Sequence, residues 1–152
     1  LIPDFLQALD KKEELVIRSP FAIRPWQHLL EPLSGYLQLA ERLVIERQTF
    51  AQAWNFGPTE KDAKTVEWIV KKLAEGLPMA KWRIDESPQP HEAHYLKLDS
   101  TKANTHLNWQ PKWSLETALV NIIAWHQAWH NKEDMHQFSL SQIANYQKVE
   151  SI

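Results

Sequence analysis

Arg24 is the residue of this 152-residue chain whose type and setting point most directly to chemistry. Pro25 follows it and disfavours helical backbone angles at Arg24, so the guanidinium should project from an extended segment. A guanidinium carries five N–H donors in a fixed fork that can bind two phosphate oxygens at once. The segment therefore predicts a diphosphate contact, with an ordinary surface arginine as the alternative interpretation.

Histidines are the other candidate ligands, and the chain has seven of them. His126 and His130 have the i, i+4 spacing that can place two metal ligands on one helix face. No acidic residue at a useful spacing accompanies them, so we interpret the pair as surface or helix-end residues and expect no metal site. Zero cysteines exclude disulfides and thiolate metal sites, a composition typical of cytosolic proteins.

Composition narrows the class of protein further. With 43% apolar and 24% charged residues, the sequence predicts one globular domain over residues 1–152. A formal charge of −2 argues against a nucleic-acid-binding surface, which normally shows a basic excess. No apolar run approaches the roughly 20 residues needed to cross a bilayer, and no leader is visible. We therefore expect a cytoplasmic protein without a membrane partner.

Short strands and helices must position Arg24. Residues 1–10 follow a helical pattern, residues 14–18 read as a strand, and Pro32 suits the first position of a second helix. Gly35 should let another backbone pass close to that helix. The apolar stripe expected to pack that helix into the core consists of Leu33, Tyr36, Leu37, Ala40 and Leu43.

The middle of the chain predicts two further strands and one long helix. Residues 49–55 alternate like a strand, and residues 81–85 form a second candidate. Thr59 and Asp62 resemble a capping box that would open a helix ending at Gly76. Its expected buried face consists of Ala63, Val66, Ile69, Val70 and Leu73.

The last third is predicted to be helical. Ser100 should cap a short helix to Leu107, and Ser114 should start a longer one. Residues 132–152 are predicted to be a polar tail with one short docking helix, capped by Ser139 or Ser141. Its expected contact residues are Phe138, Leu140, Ile143 and Tyr146. The expected fold is α/β, mixed and helix-rich, with strands too few to close a sheet alone.

Five segments carry a resemblance to a known family: residues 24–37, 54–58, 90–93, 96–103 and 107–113. Together they resemble the C-terminal part of the extended short-chain dehydrogenase/reductase family, over nearly the whole chain. Residues 24–37 are similar to the CDP-glucose branch of that family. The string Lys102-Ala103 followed by Leu107-x-Trp109-x-Pro111 is similar to sugar-nucleotide epimerases and dehydratases generally.

The resemblance implies the chemistry of a Rossmann-type 4,6-dehydratase, a lyase that uses bound NAD to convert CDP-glucose to CDP-4-keto-6-deoxyglucose. Such enzymes carry a Tyr-x-x-x-Lys pair and a Gly-rich NAD-binding loop. No tyrosine here has a lysine four positions on, and the three glycines form no such loop. The resemblance therefore implies the substrate-binding portion of a deoxysugar-forming enzyme, inactive alone, whose NAD-binding half is not in this chain.

The resemblance also implies the site residues. Arg24 matches an arginine that contacts the nucleotide diphosphate, and Trp26 matches an aromatic residue beside it. Val16, Ile17 and Arg18 match a short strand that lies against the nucleobase.

A predicted loop supplies the remaining two site residues. Glu92 matches an acidic position that accepts ribose hydroxyls, and His91 would lie next to the phosphates. Related epimerases have a second arginine near this loop, whereas this chain has Gln89 and His91. The resemblance thus leaves the second phosphate contact open.

The expected partners are a CDP-hexose and the N-terminal Rossmann-type half. A second copy of the chain, in a homo-oligomer, is a further candidate partner. Separation from that half should expose an apolar face, which we expect near Val16, Trp54 and Phe56. Two alternatives stay open. The chain could be a stand-alone helical module whose tryptophans bind another protein, or the same domain acting on another sugar nucleotide.

Overall fold

A computed structural model describes residues 1–87 and 93–149. Over these residues the fold is mixed and helix-rich, as the sequence predicts. The ten main elements are α1 (Ile2–Lys11), β1 (Glu14–Ile17), β2 (Ile23–Pro25), α2 (Leu30–Glu46), β3 (Ala63–Thr65), α3 (Val66–Gly76), β4 (Lys81–Ile84), α4 (Thr101–Leu107), α5 (Leu115–His130) and α6 (Met135–Lys148). No helix in the described part is both long and apolar enough to cross a membrane.

The strands form two small sheets. β1 and β4 pair in parallel, with Val16 opposite Arg83 and Ile17 opposite Ile84. β2 and β3 pair antiparallel, which places Arg24 opposite Lys64. Two-stranded sheets need packing against helices to be stable, and α1, α3 and α5 provide it for the first sheet.

The main core lies between these three helices and the β1–β4 sheet. Ile69, Val70 and Leu73 of α3 are fully buried in it, which confirms part of the predicted apolar face. Phe5 from α1 and Leu119 from α5 complete the contact. Each such side chain contributes about 1.5–3 kcal/mol of burial free energy, so this cluster holds the first sheet in place.

The predicted start of α3 is wrong. The helix begins at Val66, and its cap is Thr65, whose side chain accepts a hydrogen bond from the Trp68 amide. Thr59 does donate to Asp62, at 2.8 Å, but Asp62 ends the short 3-10 helix Glu60–Asp62, which Thr59 precedes. Asp62 is buried and accepts a 3.1 Å bond from the Leu115 amide. Its carboxylate therefore caps the start of α5 instead of opening α3.

The predicted strand at residues 49–55 is also wrong. A short 3-10 helix, Arg47–Thr49, is followed by an irregular segment. No described strand lies beside this segment to supply ladder hydrogen bonds. Its aromatic residues instead pack around Trp109: Phe50 and Phe56 are buried there, and Trp54 stacks on Phe50.

The apolar stripe predicted to pack α2 into the core is exposed. Its five residues all lie on the solvent side, with Leu37 74% exposed. The buried positions are Glu31 and Gly35, because the opposite face of α2 contacts Phe56 and the segment before α5. Pro32 occupies the third helical position of α2, not the first.

Position 35 needs glycine because the Phe56 side chain packs against it, whereas the prediction was the close approach of another backbone. A methyl group at this position would lie 2.3 Å from Cδ1 of Phe56. Gly35→Ala should therefore lower the free energy of unfolding by about 1–3 kcal/mol, despite alanine's better helix propensity. Urea denaturation checks this against Gln38→Ala at an exposed position of α2. Equal stability of the two variants would contradict the packing described.

α6 packs against the rest of the fold with a different cap from those predicted and with only part of its predicted contact face. Its cap is Asp134, which accepts hydrogen bonds from the His136 and Gln137 amides. Ser139 and Ser141 instead donate to carbonyl groups one turn earlier in the helix. Of the predicted contact residues, Tyr146 is buried and Phe138 is half-buried, whereas Leu140 and Ile143 are exposed. Gln142, which was not predicted, is also buried.

Candidate functional site

Arg24 lies on an extended strand, as the sequence predicts, and its guanidinium is held in place. Its Nη1 atom donates to the Ile23 carbonyl and to the Ala93 carbonyl, both at 2.9 Å. The side chain is half-buried. These contacts fix the direction of the guanidinium, which reduces the conformational entropy lost when it binds an anion.

The segment that begins at Ala93 runs alongside β2. The Ile23 amide donates to the His94 carbonyl at 2.8 Å, and the Leu96 amide donates to the Ile23 carbonyl at 3.2 Å. His91 and Glu92, which precede Ala93 in the sequence, lie outside the described residues. Their predicted contacts with phosphate and ribose therefore stay predictions.

The Trp26 side chain is fixed by one hydrogen bond and by packing against the core. Its indole N–H donates to the Lys64 carbonyl at 2.9 Å, and its ring packs against the main core, which includes Ile17. The structure thus brings two of the predicted site segments, residues 16–18 and 24–26, onto one hydrophobic cluster.

The β1 residues differ in what they can offer a ligand. Val16 and Arg18 are exposed, whereas the side chain of Ile17 is buried in the core. Ile17 can therefore meet a base only through its backbone, and its carbonyl already accepts a 2.9 Å bond from the Asp85 amide. An open cleft of about 660 Å³, lined by residues 82–87, lies at the carboxyl end of the neighbouring strand. Ligands commonly bind at that edge of parallel strands.

Glu31 is the residue that sequence reasoning missed. It is fully buried, and its carboxylate accepts hydrogen bonds from the Lys112 amide at 3.0 Å, the Trp113 amide at 2.8 Å and the Tyr146 hydroxyl at 2.7 Å. Burial raises the pKa of Tyr146, so the hydroxyl stays protonated and donates. The signal was an acidic residue within an otherwise apolar helix start.

Neighbouring motif residues make similar structural contacts. The Ser34 hydroxyl accepts from the Trp109 indole at 2.9 Å, and the Gln27 amide donates to the Phe56 carbonyl at 2.8 Å. The His28 Nδ1 atom accepts from the Leu30 amide, and burial lowers the pKa of His28. Much of the 24–37 motif therefore joins α2 to the rest of the fold, while Arg24 points to the segment after the predicted ligand loop.

The chain's residues do not fit NAD. All three glycines lie against side chains: Gly35 against Phe56, Gly57 against Leu98 and Ser100, and Gly76 against Ile123. None opens a strand-to-helix turn of the kind that receives a dinucleotide pyrophosphate.

Comparisons with known proteins agree with this picture. No family model matches the chain. CDP-glucose 4,6-dehydratase of Salmonella typhimurium strain LT2 is 50% identical over 147 residues, which cover 96% of this chain. The chain spans only 41% of the length of that curated relative.

Solved structures of lower sequence similarity share the fold. The UDP-N-acetylglucosamine 4-epimerase from Bacillus cereus has a TM-score of 0.58 at 16% identity, covering 82% of this chain and 40% of the epimerase. The dTDP-glucose 4,6-dehydratase from Bacillus anthracis was solved in complex with NAD. Its TM-score is 0.61 at 16% identity, and the match covers 84% of this chain and 39% of the dehydratase. The chain is therefore homologous to the C-terminal portion of CDP-glucose 4,6-dehydratase and shares the fold of the matching portion of extended short-chain dehydrogenase/reductase epimerases and dehydratases.

Proposed function

We propose that this chain forms the CDP-sugar-binding portion of an NAD-dependent 4,6-dehydratase that converts CDP-glucose to CDP-4-keto-6-deoxyglucose. The observation that carries the proposal is the setting of Arg24. Its guanidinium is held by two carbonyl groups on an extended strand, which supports diphosphate binding. The 50% sequence identity to part of a CDP-glucose 4,6-dehydratase supports the choice of ligand.

In this proposal Arg24 contacts the diphosphate and Trp26 fixes the strand that carries it. Val16 and Arg18 face the base, while Ile17 contributes its backbone. His91 and Glu92 supply phosphate and ribose contacts, as the resemblance implies. The chain's part in catalysis is to bind and orient the substrate, and NAD binds the N-terminal half of the whole protein.

That N-terminal half is the partner we propose for the exposed face of α2. The face comprises Leu29, Leu33, Tyr36, Leu37 and Val44, and Val44 is 81% exposed. Exposed apolar surface of this kind marks an interaction site. The chain spans 41% of its relative, so the remaining length supplies a candidate partner. α6 packs on the opposite, buried face of α2, where the Tyr146 hydroxyl donates to Glu31.

The isolated chain should not dehydrate CDP-glucose, because it lacks the Tyr-x-x-x-Lys pair and a Gly-rich loop. Adding the N-terminal portion of the Salmonella relative should restore formation of the 4-keto product. The absorbance of that product in alkali measures its formation. Val44→Lys should reduce the restored rate by about tenfold or more, because it buries a charge in the proposed contact. Lys132→Ala, on an exposed residue after α5, is the matched control. Activity of the chain alone with NAD would contradict the proposal.

Nucleotide competition tests the ligand class. Calorimetric titration should show that CDP binds more tightly than UDP, both to the chain and to the reconstituted pair. Preference for UDP would move the chain to another sugar-nucleotide enzyme. Binding of neither nucleotide to the pair would favour the alternative, a helical protein-interaction module that docks through the exposed face of α2. Homo-oligomer formation and a cytoplasmic location remain expectations that mass photometry and fractionation can check.

A further inference from the structure

A side-chain cluster outside the predicted nucleotide site joins the carboxyl ends of α1 and α5. Asp10 Oδ1 lies 2.9 Å from His126 Nε2 and 2.6 Å from His130 Nε2. The sequence interpretation missed this acidic partner because it lies 116 residues before His126. His126 is also not the surface residue we expected, since it is only 4% exposed.

We propose that Asp10, His126 and His130 form a binding site for Zn²⁺ or a similar divalent transition-metal ion. One ligand atom from each of the three lies within 4.8 Å of the others. Both histidines turn the same ring nitrogen, Nε2, towards one carboxylate oxygen. Two imidazoles and a carboxylate are a ligand set that zinc uses in proteins, whereas Mg²⁺ and Ca²⁺ prefer oxygen ligands alone.

The three ligand atoms must rearrange to accept the ion. Zinc bonds to imidazole nitrogen and carboxylate oxygen are about 2.0–2.2 Å, so tetrahedral ligand atoms lie roughly 3.3 Å apart. Each nitrogen must therefore move about half an ångström from the carboxylate oxygen, and the two outermost ligand atoms, which lie within 4.8 Å, must approach each other by up to about 1.5 Å. His130 is half-exposed and can move, while buried His126 keeps its position.

The surroundings leave room for a fourth ligand. A cavity of about 480 Å³ is lined by the ends of α1 and α5 and by the loop after α3. Water can complete the coordination from this side, as in zinc sites with three protein ligands. Lys12 lines the same cavity, and its left-handed backbone conformation ends α1 directly after the Asp10 turn.

The three side chains already meet without an ion, because Asp10 Oδ1 contacts a ring nitrogen of each histidine. Binding of Zn²⁺ to an Nε2 atom would release any proton that this nitrogen carries. An ion bound here would connect α1 to α5 and stabilise the folded chain.

Native mass spectrometry and calorimetry with ZnCl₂ on the tag-free chain test the site. We expect one bound Zn²⁺ and a rise in Tm with Zn²⁺ that Mg²⁺ at the same concentration does not give. Asp10→Asn and His130→Ala should each weaken Zn²⁺ binding by about 100-fold or more, because loss of even an outer partner of a ligand costs 10–100-fold. Both residues are partly exposed, and circular dichroism confirms that the variants fold.

The matched control is His136→Ala, which removes an exposed histidine from α6. It should leave Zn²⁺ binding unchanged. Unaltered affinity in both cluster variants would overturn the proposal. Failure of the folded wild-type chain to bind one equivalent of Zn²⁺ at about 100 μM, a concentration that detects sites of up to micromolar dissociation constant, would overturn it as well. Neither outcome depends on CDP binding, so this proposal stands or falls separately from the proposed function.

Discussion

Replacing Glu31 with alanine should lower the free energy of unfolding by about 3–5 kcal/mol, the largest stability effect we expect from one substitution. The carboxylate is fully buried and accepts from two backbone amides and the Tyr146 hydroxyl. Removing it leaves three buried donors without their acceptor. Because these donors come from the segment before α5 and from α6, both should detach from α2 together. Urea denaturation followed by tryptophan fluorescence measures the loss.

Two comparisons separate this role from a general effect of mutation. Tyr146→Phe removes one of the three donors and should cost about 1–2 kcal/mol. Glu41→Ala, at an exposed position of the same helix, should change stability by less than about 0.5 kcal/mol. In the double variant Glu31→Ala with Tyr146→Phe, the two losses should not add, since the residues share a hydrogen bond. A loss at Glu31 no larger than at Glu41 would refute the buried role.

Reversing the charge at Arg24 should weaken CDP binding by on the order of 100-fold or more. A hydrogen bond to a charged group contributes about 1.5–3 kcal/mol, or about 10- to 100-fold in affinity. Arg24→Glu removes such bonds and adds repulsion between its carboxylate and the diphosphate. Calorimetry on the variant, alone and with the N-terminal portion of the Salmonella relative, measures the change.

The lysine variant distinguishes charge from geometry. Arg24→Lys keeps the positive charge but loses the fork, so we expect a weakening of about tenfold. Arg42→Ala is the matched control, because Arg42 is an exposed residue of α2 whose guanidinium pairs with Glu46. Arg24 also donates to the Ala93 carbonyl, so thermal denaturation should accompany each titration. If the loss of CDP affinity in the Arg24 variants follows their loss of thermal stability and not their change of charge, Arg24 is a structural residue.

Local patterns in the sequence were enough to predict much of the fold. The helix of residues 1–10, the strands at 14–18 and 81–85, the short helix to Leu107 and the helix capped at Ser114 all lie where expected. Ser100 precedes its helix as predicted but does not cap it, because its hydroxyl accepts from the distant Gly57 amide. Each is defined by nearby signals, such as proline, a capping residue or apolar periodicity. The extended backbone at Arg24 likewise follows from Pro25 alone.

Several of the wrong predictions concern partners that are distant in sequence, whereas the caps of α3 and α6 were misplaced by a few residues along the chain. Asp62 looked like a cap for its own helix, but its carboxylate accepts from Leu115. The apolar stripe of α2 looked like a core face, yet the core lies on the side of Glu31 and Gly35. Phe56 was expected near an exposed face and is buried against Gly35 and Trp109. Val16 alone of the three residues predicted near an exposed face is clearly exposed.

The candidate site divides in the same way. Its residue types were readable from the Arg24 segment, but only the structure shows that Ile17 is a core residue and that Ala93 lies beside the guanidinium. The Asp10 cluster could not be predicted from spacing, since its members come from opposite ends of the chain.

Amide-resolved NMR titration of the labelled chain with CDP, repeated with the N-terminal portion present, tests most directly whether this chain holds the nucleotide. We predict saturable shifts at the backbone amides of Val16, Arg18, Arg24 and Ala93, with little change around Asp10 and His126. Saturable shifts confined to other residues, or none at all when both portions are present, would contradict the central claim.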